Sequence, residues 1–229
     1  MRYFFFDVGG TMIEPTPSVG AIYHRVGEAF GLGATQSQLE NAFRRIFSEH
    51  VHRSGDGPLA LGTDEPSTHL WWRTLVFQLF DELEFGGDRE ACYRALFGAF
   101  EQPSAWRVFD DVRPAIATLT KAAVPMGIIS NWDYRLIPIL DALDLRRHFE
   151  PIVVSCFEGV AKPSLGLFRA ALERVGVPAS EVRYVGDRRD LDLEPARALG
   201  MDAYLVDRNG AVGDARDTRV VQSLLDLVS

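Results

Sequence analysis

The sequence predicts an α/β fold, in which a parallel β-sheet is covered by helices on both faces and an all-helical domain is inserted. Three observations favour this class. Residues 3–6 are apolar without alternation, which is typical of a strand buried on both faces of a parallel sheet. From about residue 18 to residue 105, apolar residues recur at helical spacing. From about residue 106 onward, short apolar runs alternate with amphipathic helices, as in a sheet of parallel strands.

The first strand belongs with the alternating block, so the helical region that separates them is an insertion. We predict a Rossmann-like, three-layer core made of residues 1–15 and 106–229. Residues 16–105 are predicted to form the inserted domain, a bundle of four helices joined by short loops.

The sequence also predicts the local structure of four shorter segments. Residues 14–17 contain two prolines and predict a stiff linker into the insertion. Residues 53–66 are rich in Gly, Pro and Asp and predict a loop. Residues 203–206 are expected to be the last strand, and a helix near residues 220–228 is expected to close the chain.

Composition excludes several classes of protein. The 229 residues are 47% hydrophobic and 24% charged, which is ordinary for a globular protein, and the net charge of −8 argues against binding to a nucleic-acid backbone. Two cysteines without metal-ligand spacing favour buried thiols in a reducing compartment. No apolar run is long enough for a signal peptide or a membrane span. We expect a cytoplasmic protein with neither membrane nor nucleic-acid partners; its oligomeric state stays open.

Basic residues are almost all arginine. Of the 24, only Lys121 and Lys162 are lysines, which is typical of a codon bias toward arginine. Because the two side chains are not physically equivalent, each lysine is still worth inspecting. Lys121 ends a predicted amphipathic helix, where a cation suits the C-terminal carbonyls.

Chemically useful side chains follow several of the predicted strands. In an open parallel sheet, ligands bind outside the carboxyl ends of the strands, so these side chains are expected to share one edge, which we call the rim. The rim residues are Asp7 and the Gly-rich turn to Thr11, Ser130 and Asn131, Lys162, and Asp187, Asp190 and Asp192.

Four short motifs at the rim occur in an order that resembles the haloacid dehalogenase superfamily, whose members are mostly phosphatases. The resemblance covers nearly the whole chain. It implies that the insertion is the family's helical cap. The motifs are Asp7-Val8-Gly9-Gly10-Thr11, Ile128-Ile129-Ser130-Asn131, Ala161-Lys162-Pro163, and Gly186-Asp187 with Asp192.

The resemblance implies a small phosphorylated substrate and three catalytic residues. Asp7 is expected to attack phosphorus and form an aspartyl-phosphate, which splits one difficult step into two. Ser130 is expected to donate a hydrogen bond to the phosphoryl oxygens. Lys162 would place a compact positive charge near the nucleophile and the transferring group. Phosphate is also expected to contact backbone N–H groups of Val8, Gly9 and Asn131.

A magnesium ion is the expected cofactor, because two anions must be bridged. Asp7 and Asp187 supply the hard oxygen ligands that Mg²⁺ prefers, and in the family the backbone carbonyl at position 9 completes the protein ligands. Thr11 and Asp192 are expected to lie behind these groups. Asp192 would orient Lys162 or a metal-bound water.

The first motif departs from the family's phosphatases at Gly9. They carry there a second aspartate, which protonates the leaving group and then activates water. Loss of such a general acid/base typically costs about 10²–10⁴ in rate. Glu14 is the nearest carboxylate in sequence, but it lies in the predicted linker.

Three functions therefore stay open. The first is a Mg²⁺-dependent phosphatase that is slow or limited to good leaving groups. The second is a metal-independent 2-haloacid dehalogenase in which Asp7 attacks carbon; such relatives lack the Gly-Asp of the fourth motif, which this chain keeps. The third is a catalytically impaired homologue that binds phosphate or a partner.

Single residues also have structural explanations. Ser130 alone would more often be a helix cap, and Lys162 alone a solvated lysine. Asp133 is interpreted as a cap for the following helix. The Trp71-Trp72 pair is expected to lie in the bundle core rather than to form a platform for substrate.

Overall fold

A computed structural model of the chain describes residues 3–53, 63–208, 210 and 219–228. It contains a six-stranded parallel sheet in the order β5-β4-β1-β6-β7-β8 and a separate antiparallel pair, β2 and β3. The strands are β1 (Tyr3–Phe6), β2 (Ile13–Pro15), β3 (Trp106–Val108), β4 (Met126–Ser130), β5 (Ile152–Val154), β6 (Val182–Gly186), β7 (Asp202–Val206) and β8 (Val220–Val221). The α-helices are α1 (Val19–Gly27), α2 (Gln36–Arg53), α3 (Glu65–Glu82), α4 (Arg89–Glu101), α5 (Val112–Lys121), α6 (Leu136–Ala142), α7 (Ser155–Glu158), α8 (Leu165–Val175) and α9 (Glu194–Ala198).

The predicted three-layer core is confirmed by the packing of β1. Its side chains alternate between two apolar clusters on opposite faces of the sheet, with Phe4 and Phe6 in one and Tyr3 and Phe5 in the other. Helices α5 and α6 contribute to the first cluster, and α8 and α9 to the second. Because both faces are covered, an uninterrupted apolar run is the stable sequence for this strand.

The inserted helices α1 to α4 surround a third apolar cluster of their own. Four helices agree with the sequence prediction. The predicted loop at 53–66 is wrong at its C-terminal end, because α3 already begins at Glu65 and includes Pro66; residues 54–62 lie outside the described residues. Asp64 caps this helix by accepting the N–H of Ser67, and proline fits the first turn, whose N–H groups have no partner in the helix.

The sequence predicted a linker at residues 14–17, but part of this segment belongs to a strand. Strand β2 pairs antiparallel with β3, Ile13 lying opposite Val108. The ribbon therefore lies where the chain leaves the core and where it returns, and it adjoins both predicted domain boundaries. The division into 1–15 with 106–229, and 16–105, stays a prediction.

The C-terminal helix predicted near residues 220–228 is also wrong. The segment forms β8, which extends the sheet beside β7, and then a short 3₁₀ turn at Leu224–Leu227. The carboxylate of Asp111 accepts hydrogen bonds from Ser223 Oγ at 2.9 Å and Leu224 N at 2.7 Å. These distant contacts outweigh the local helical pattern.

Both cysteines are buried and free, as expected. None of the helices in the described ranges combines the length and apolar character that a membrane crossing requires.

Gly127 tests the packing between β4 and its neighbours. A Cβ atom at this position would overlap the Phe5 ring and lie 2.8 Å from the Pro151 carbonyl oxygen. We expect Gly127→Ala to lower the free energy of unfolding by about 1–3 kcal/mol, because a packed core resists added volume. Denaturant titration measures the change. Gly33→Ala is the matched control, since nothing lies within 4 Å of its added methyl group; equal effects of the two substitutions would contradict this packing.

Candidate active site

Three adjacent strands bring the predicted site residues to one edge of the sheet. Strand β1 lies between β4 and β6, and all three run parallel. Asp7 follows β1, Ser130 ends β4 and Asp187 follows β6. The three side chains therefore meet at the rim, as the sequence predicted.

Lys162 connects the charged side chains of the rim. Its Nζ donates to Asp7 Oδ1 at 2.7 Å, to Asp192 Oδ1 at 2.6 Å and to the Tyr184 hydroxyl at 3.2 Å. Ser130 Oγ donates to the same Asp7 Oδ1 at 2.8 Å. Burial disfavours the charge of Lys162, but Asp192 and Asp7 outweigh this effect and raise its pKa. Lys121, in contrast, is exposed at the end of α5.

Asn131 holds the segment that carries Lys162. Its Nδ2 donates to the Lys162 carbonyl at 2.9 Å, and its Oδ1 accepts the Lys162 N–H at 2.7 Å. This paired contact fixes the backbone from which the lysine reaches the rim. From the sequence, Asn131 was expected to make only a backbone contact with phosphate.

Asp187 lies with Asp7 and Asp192, whereas Asp190, also expected at the rim, pairs with Arg188. Asp7, Asp187 and Asp192 each offer an oxygen within 4.8 Å of the others, an arrangement that could hold a metal ion. Burial, and then Asp7 and Asp192, raise the pKa of Asp187 to about 8. A Cβ atom at Gly10, which has φ of +74°, would overlap this carboxylate, so glycine allows its close approach to the loop.

The loop after β1 partly satisfies its own backbone. Gly10 N donates to the Ile13 carbonyl at 2.9 Å, and Thr11 N donates to the Val8 carbonyl at 3.3 Å. In the part of the chain that the structure describes, the N–H groups of Val8 and Gly9 have no hydrogen-bond acceptor. These two donors, both predicted to bind phosphate, are therefore available beside Asp7.

Thr11 and Asp192 were both predicted to lie behind the groups that bind phosphate and metal, and they make different contacts there. Asp192 contacts Lys162, and its Oδ2 also accepts the Arg188 N–H at 3.0 Å. Thr11 is fully buried, but its hydroxyl has no hydrogen-bond partner among the described residues. Its carbonyl accepts from Arg208 Nη2 at 2.6 Å.

Tyr184 is a rim residue that sequence reasoning missed. Its hydroxyl donates to Asp192 Oδ1 at 2.5 Å and also contacts Lys162. The side chain is fully buried in β6, and burial, followed by the nearby carboxylates, raises its pKa well above the usual value. A buried tyrosine usually needs a partner for its hydroxyl, and that was the available signal.

Asp133 does not cap α6 as predicted, because the N-cap position is Arg135 and the helix has no side-chain cap. Asp133 accepts the backbone N–H of Arg135 at 3.0 Å and makes a buried two-pronged ion pair with the same guanidinium. Its Oδ2 also accepts Trp72 Nε1 of the inserted helices at 2.9 Å. The core and the insertion are therefore joined directly beside the site.

A cavity of about 440 Å³ lies between the rim and helices α2 and α3. Trp72 packs with the bundle cluster, as predicted, but it also lines this cavity. Trp132, next to Asn131, lines it from the core side, and a Cβ atom at Gly9 would lie 3.1 Å from Trp132 Cζ3. The Trp132 indole thus covers the position where the family's phosphatases have a second aspartate.

A family model for haloacid dehalogenase-like hydrolases matches residues 1–200 of the chain. The chain belongs to this family. Haloacid dehalogenase-like hydrolase domain-containing protein 3 from Danio rerio is 33% identical over 232 residues, which cover 99% of this chain and 95% of the relative.

Two further relatives of this hydrolase differ in their own activities. The phosphoserine phosphatase of Thermus thermophilus is 23% identical, over 98% of this chain and 100% of that protein. The crystal structure of a dehalogenase superposes with a TM-score of 0.75 at 20% identity, over 99% of this chain and 95% of the other. The structural likeness confirms the fold, and the two activities belong to those proteins.

Asp187 gives a prediction for stability against pH. The pKa of Asp187 is about 8 in the folded protein, against an ordinary value of 3.8. The folded state therefore binds this proton more tightly than the unfolded chain does. The stabilisation that this bound proton gives the folded state is therefore complete below about pH 4 and is lost as pH rises to about 8. In chelator, we expect the Tm of Asp187→Asn to gain on wild type by about 2 °C or more between pH 5 and pH 8.5.

The exposed Glu173 provides the control for this experiment. Glu173→Gln should leave the shape of the stability curve unchanged, because solvent already surrounds that carboxylate. A Tm difference between Asp187→Asn and wild type that stays constant with pH would show that ionisation of Asp187 does not destabilise the folded protein.

Proposed function

We propose that this hydrolase is a Mg²⁺-dependent phosphatase that acts on a small phosphorylated metabolite through an aspartyl-phosphate at Asp7. The observation that carries the proposal is the charge of the rim. When ionised, Asp7, Asp187 and Asp192 oppose the single ammonium of Lys162, which leaves two negative charges in excess. A divalent cation would balance them.

The donor set suits magnesium. Asp7 and Asp187 offer the hard carboxylate oxygens that Mg²⁺ prefers, and Gly9 has a backbone carbonyl in the same loop. Asp192 is already bound by Lys162, Tyr184 and the Arg188 N–H, so we assign it to holding the lysine. When bound, the ion would supply positive charge that lets a phosphate dianion approach the carboxylates.

Asp7 is oriented as a nucleophile. Ser130 and Lys162 both donate to its Oδ1, which fixes the plane of the carboxylate at the cavity wall. An Asp7 oxygen would bond to phosphorus as the ester P–O bond breaks and its electron pair leaves with the alcohol oxygen. Lys162 and the N–H groups of Val8 and Gly9 would stabilise the charge on the phosphoryl oxygens.

The second step, hydrolysis of the aspartyl-phosphate, regenerates the free carboxylate of Asp7. Water would attack phosphorus, and the bond between phosphorus and Asp7 would break to release inorganic phosphate. Position 9 provides no carboxylate to accept the water's proton. With a good leaving group, this hydrolysis would therefore be the slower of the two steps.

Asp187 also separates the candidate functions. A metal-independent dehalogenase, in which Asp7 attacks carbon, has no need for a further carboxylate at the rim, half-buried and with its pKa raised first by burial and then by Asp7 and Asp192. A phosphate-binding homologue without catalysis would keep the ion and the anion but would not need an oriented nucleophile.

The decisive measurement is a panel of phosphate esters assayed with Mg²⁺ and with chelator. We expect Mg²⁺-dependent hydrolysis of activated esters, and we expect Asp7→Asn to lower it by at least about 10³-fold because the covalent intermediate cannot form. Asp88→Asn, which removes the same charge at the cap of α4 and does not line the cavity, is the control. Halide release from a 2-haloacid without Mg²⁺ would instead identify a dehalogenase, and phosphate binding with neither activity a non-catalytic homologue.

Gly9 offers a second test. A carboxylate at position 9 would supply the missing acid and base, but its Cβ needs space that Trp132 now fills. We therefore expect the largest gain when Gly9→Asp is combined with Trp132→Leu. Relative to Trp132→Leu alone, the double variant should hydrolyse alkyl phosphates at least about tenfold faster, within the range typical of acid–base catalysis.

The matched control is Gly9→Asn in the same Trp132→Leu background, because asparagine has the shape of aspartate without its proton chemistry. Equal rates for the two variants would show that position 9 does not limit the reaction.

A further inference from the structure

Outside the rim residues, the cavity lining is mainly aromatic and aliphatic. Phe43 and Phe47 of α2 and Trp72 of α3 line it from the insertion, and Trp132 lines it from the core. Ligand cavities of 300–1,000 Å³ commonly combine such a wall with a few polar groups that fix orientation. Here the polar groups of the rim lie at one end, where they would hold the phosphate.

Four polar side chains of the cavity lining lie outside the rim, namely Asp133, Ser155, Ser164 and Arg188, and each has a hydrogen-bond partner, which for Ser164 is the N–H of Gly166. Both oxygens of Asp133 are bound by Arg135 and Trp72. Ser155 Oγ exchanges hydrogen bonds with the Trp132 backbone, and the Arg188 guanidinium pairs with Asp190. A sugar or another polyol would have to give up hydrogen bonds with water for few new ones, which is costly.

The leaving group is constrained independently by Gly9. Without a carboxyl at this position, the ester oxygen lacks the proton donor that the family's phosphatases use and departs as an anion. A phenol has a pKa of about 10, as tyrosine shows, whereas the pKa of water is about 16. A phenolate is therefore a far better leaving group than an alkoxide when no acid assists.

From these two constraints we infer that the substrate is an aryl phosphate whose ring occupies the cavity against Trp132. This inference rests on the proposed phosphatase function and names the substrate class of the same site. Trp132 Cζ3 lies 3.1 Å from the position of a Cβ at Gly9, and the indole lines the cavity, so it provides a flat surface beside the loop of Asp7 on which an aromatic leaving group can pack.

The reaction balances without any further reactant. Asp7 bonds to phosphorus, the P–O(aryl) bond breaks, and both electrons leave on the phenolate, which is protonated by solvent. Water then attacks phosphorus, and the Asp7–phosphorus bond breaks. The net change is the addition of water across the ester bond, giving a phenol and inorganic phosphate.

Binding of phosphonates tests the inference without turnover, because their P–C bond is not hydrolysed. Calorimetry would compare benzylphosphonate, cyclohexylmethylphosphonate and methylphosphonate on the wild-type protein in Mg²⁺. We expect benzylphosphonate to bind at least about tenfold more tightly than methylphosphonate, and more tightly than the cyclohexyl analogue, because flat rings pack on indole. Equal affinities for benzyl- and methylphosphonate, or binding of neither, would overturn the inference.

Variants locate the ring in the cavity. Trp132→Leu should abolish most of the preference for benzylphosphonate, and Trp132→Phe should retain it. Trp71→Leu is the control, since Trp71 precedes Trp72 on α3 but does not line the cavity. If Trp71→Leu and Trp132→Leu reduce the preference equally, the ring does not pack where we place it.

Kinetics provide the second arm. The quantity to compare is kcat/KM, which covers the steps up to phosphoryl transfer, for 4-nitrophenyl, phenyl, benzyl and acetyl phosphate and for a sugar phosphate. The first two should exceed benzyl phosphate by at least about 10²-fold, and Trp132→Leu should reduce 4-nitrophenyl phosphate turnover at least about tenfold more than acetyl phosphate turnover. Higher kcat/KM for a sugar phosphate than for phenyl phosphate would overturn the inference. No hydrolysis of any ester would overturn the proposed function, and the phosphonates would then decide the aromatic preference alone.

Discussion

The rest of the site depends on the buried bridge that Lys162 makes between Asp7 and Asp192. Charges this deeply buried are costly unless each has a partner at hydrogen-bond distance. The lysine satisfies two carboxylates at once, at 2.7 and 2.6 Å, and Tyr184 occupies its third donor direction. A guanidinium is planar and longer, so it would not place its charge at the same point. In a chain that otherwise uses arginine almost throughout, this geometry explains why one buried cation is lysine.

The bridge exists because β1 is central. With β4 and β6 on its two sides, Ser130 and Asp187 lie beside Asp7. Asn131 then brings in the Lys162 segment from outside the sheet through two backbone contacts. Fold and site are thus linked by strand order: a different order would keep the same elements but separate the carboxylates.

Features carried by local sequence were predictable. The apolar run of β1, the alternation after residue 106 and the polar residues after each strand gave the sheet and its rim, since parallel strands share a carboxyl edge. Contacts between distant segments were not. Tyr184 differs from an ordinary core tyrosine only by the Asp192 opposite it, and the ribbon of β2 and β3 needs a partner more than ninety residues away. The covering of Gly9 by Trp132 likewise joins two loops that no local pattern connects.

The hydrogen bond from Trp72 to Asp133 has a consequence for how the cavity exchanges its contents. If the insertion swings away, Asp133 loses one neutral donor but keeps the guanidinium of Arg135, so no carboxylate is stranded. Water can replace the indole N–H at a net cost of about 1.5–3 kcal/mol for a bond to a charged group. That bond alone favours closure by about one to two orders of magnitude. The Arg135 guanidinium also packs over the rings of Phe97 and Trp72 of the insertion and adds to this preference. Opening therefore breaks several contacts at once but leaves the charges of Asp133 and Arg135 paired with each other.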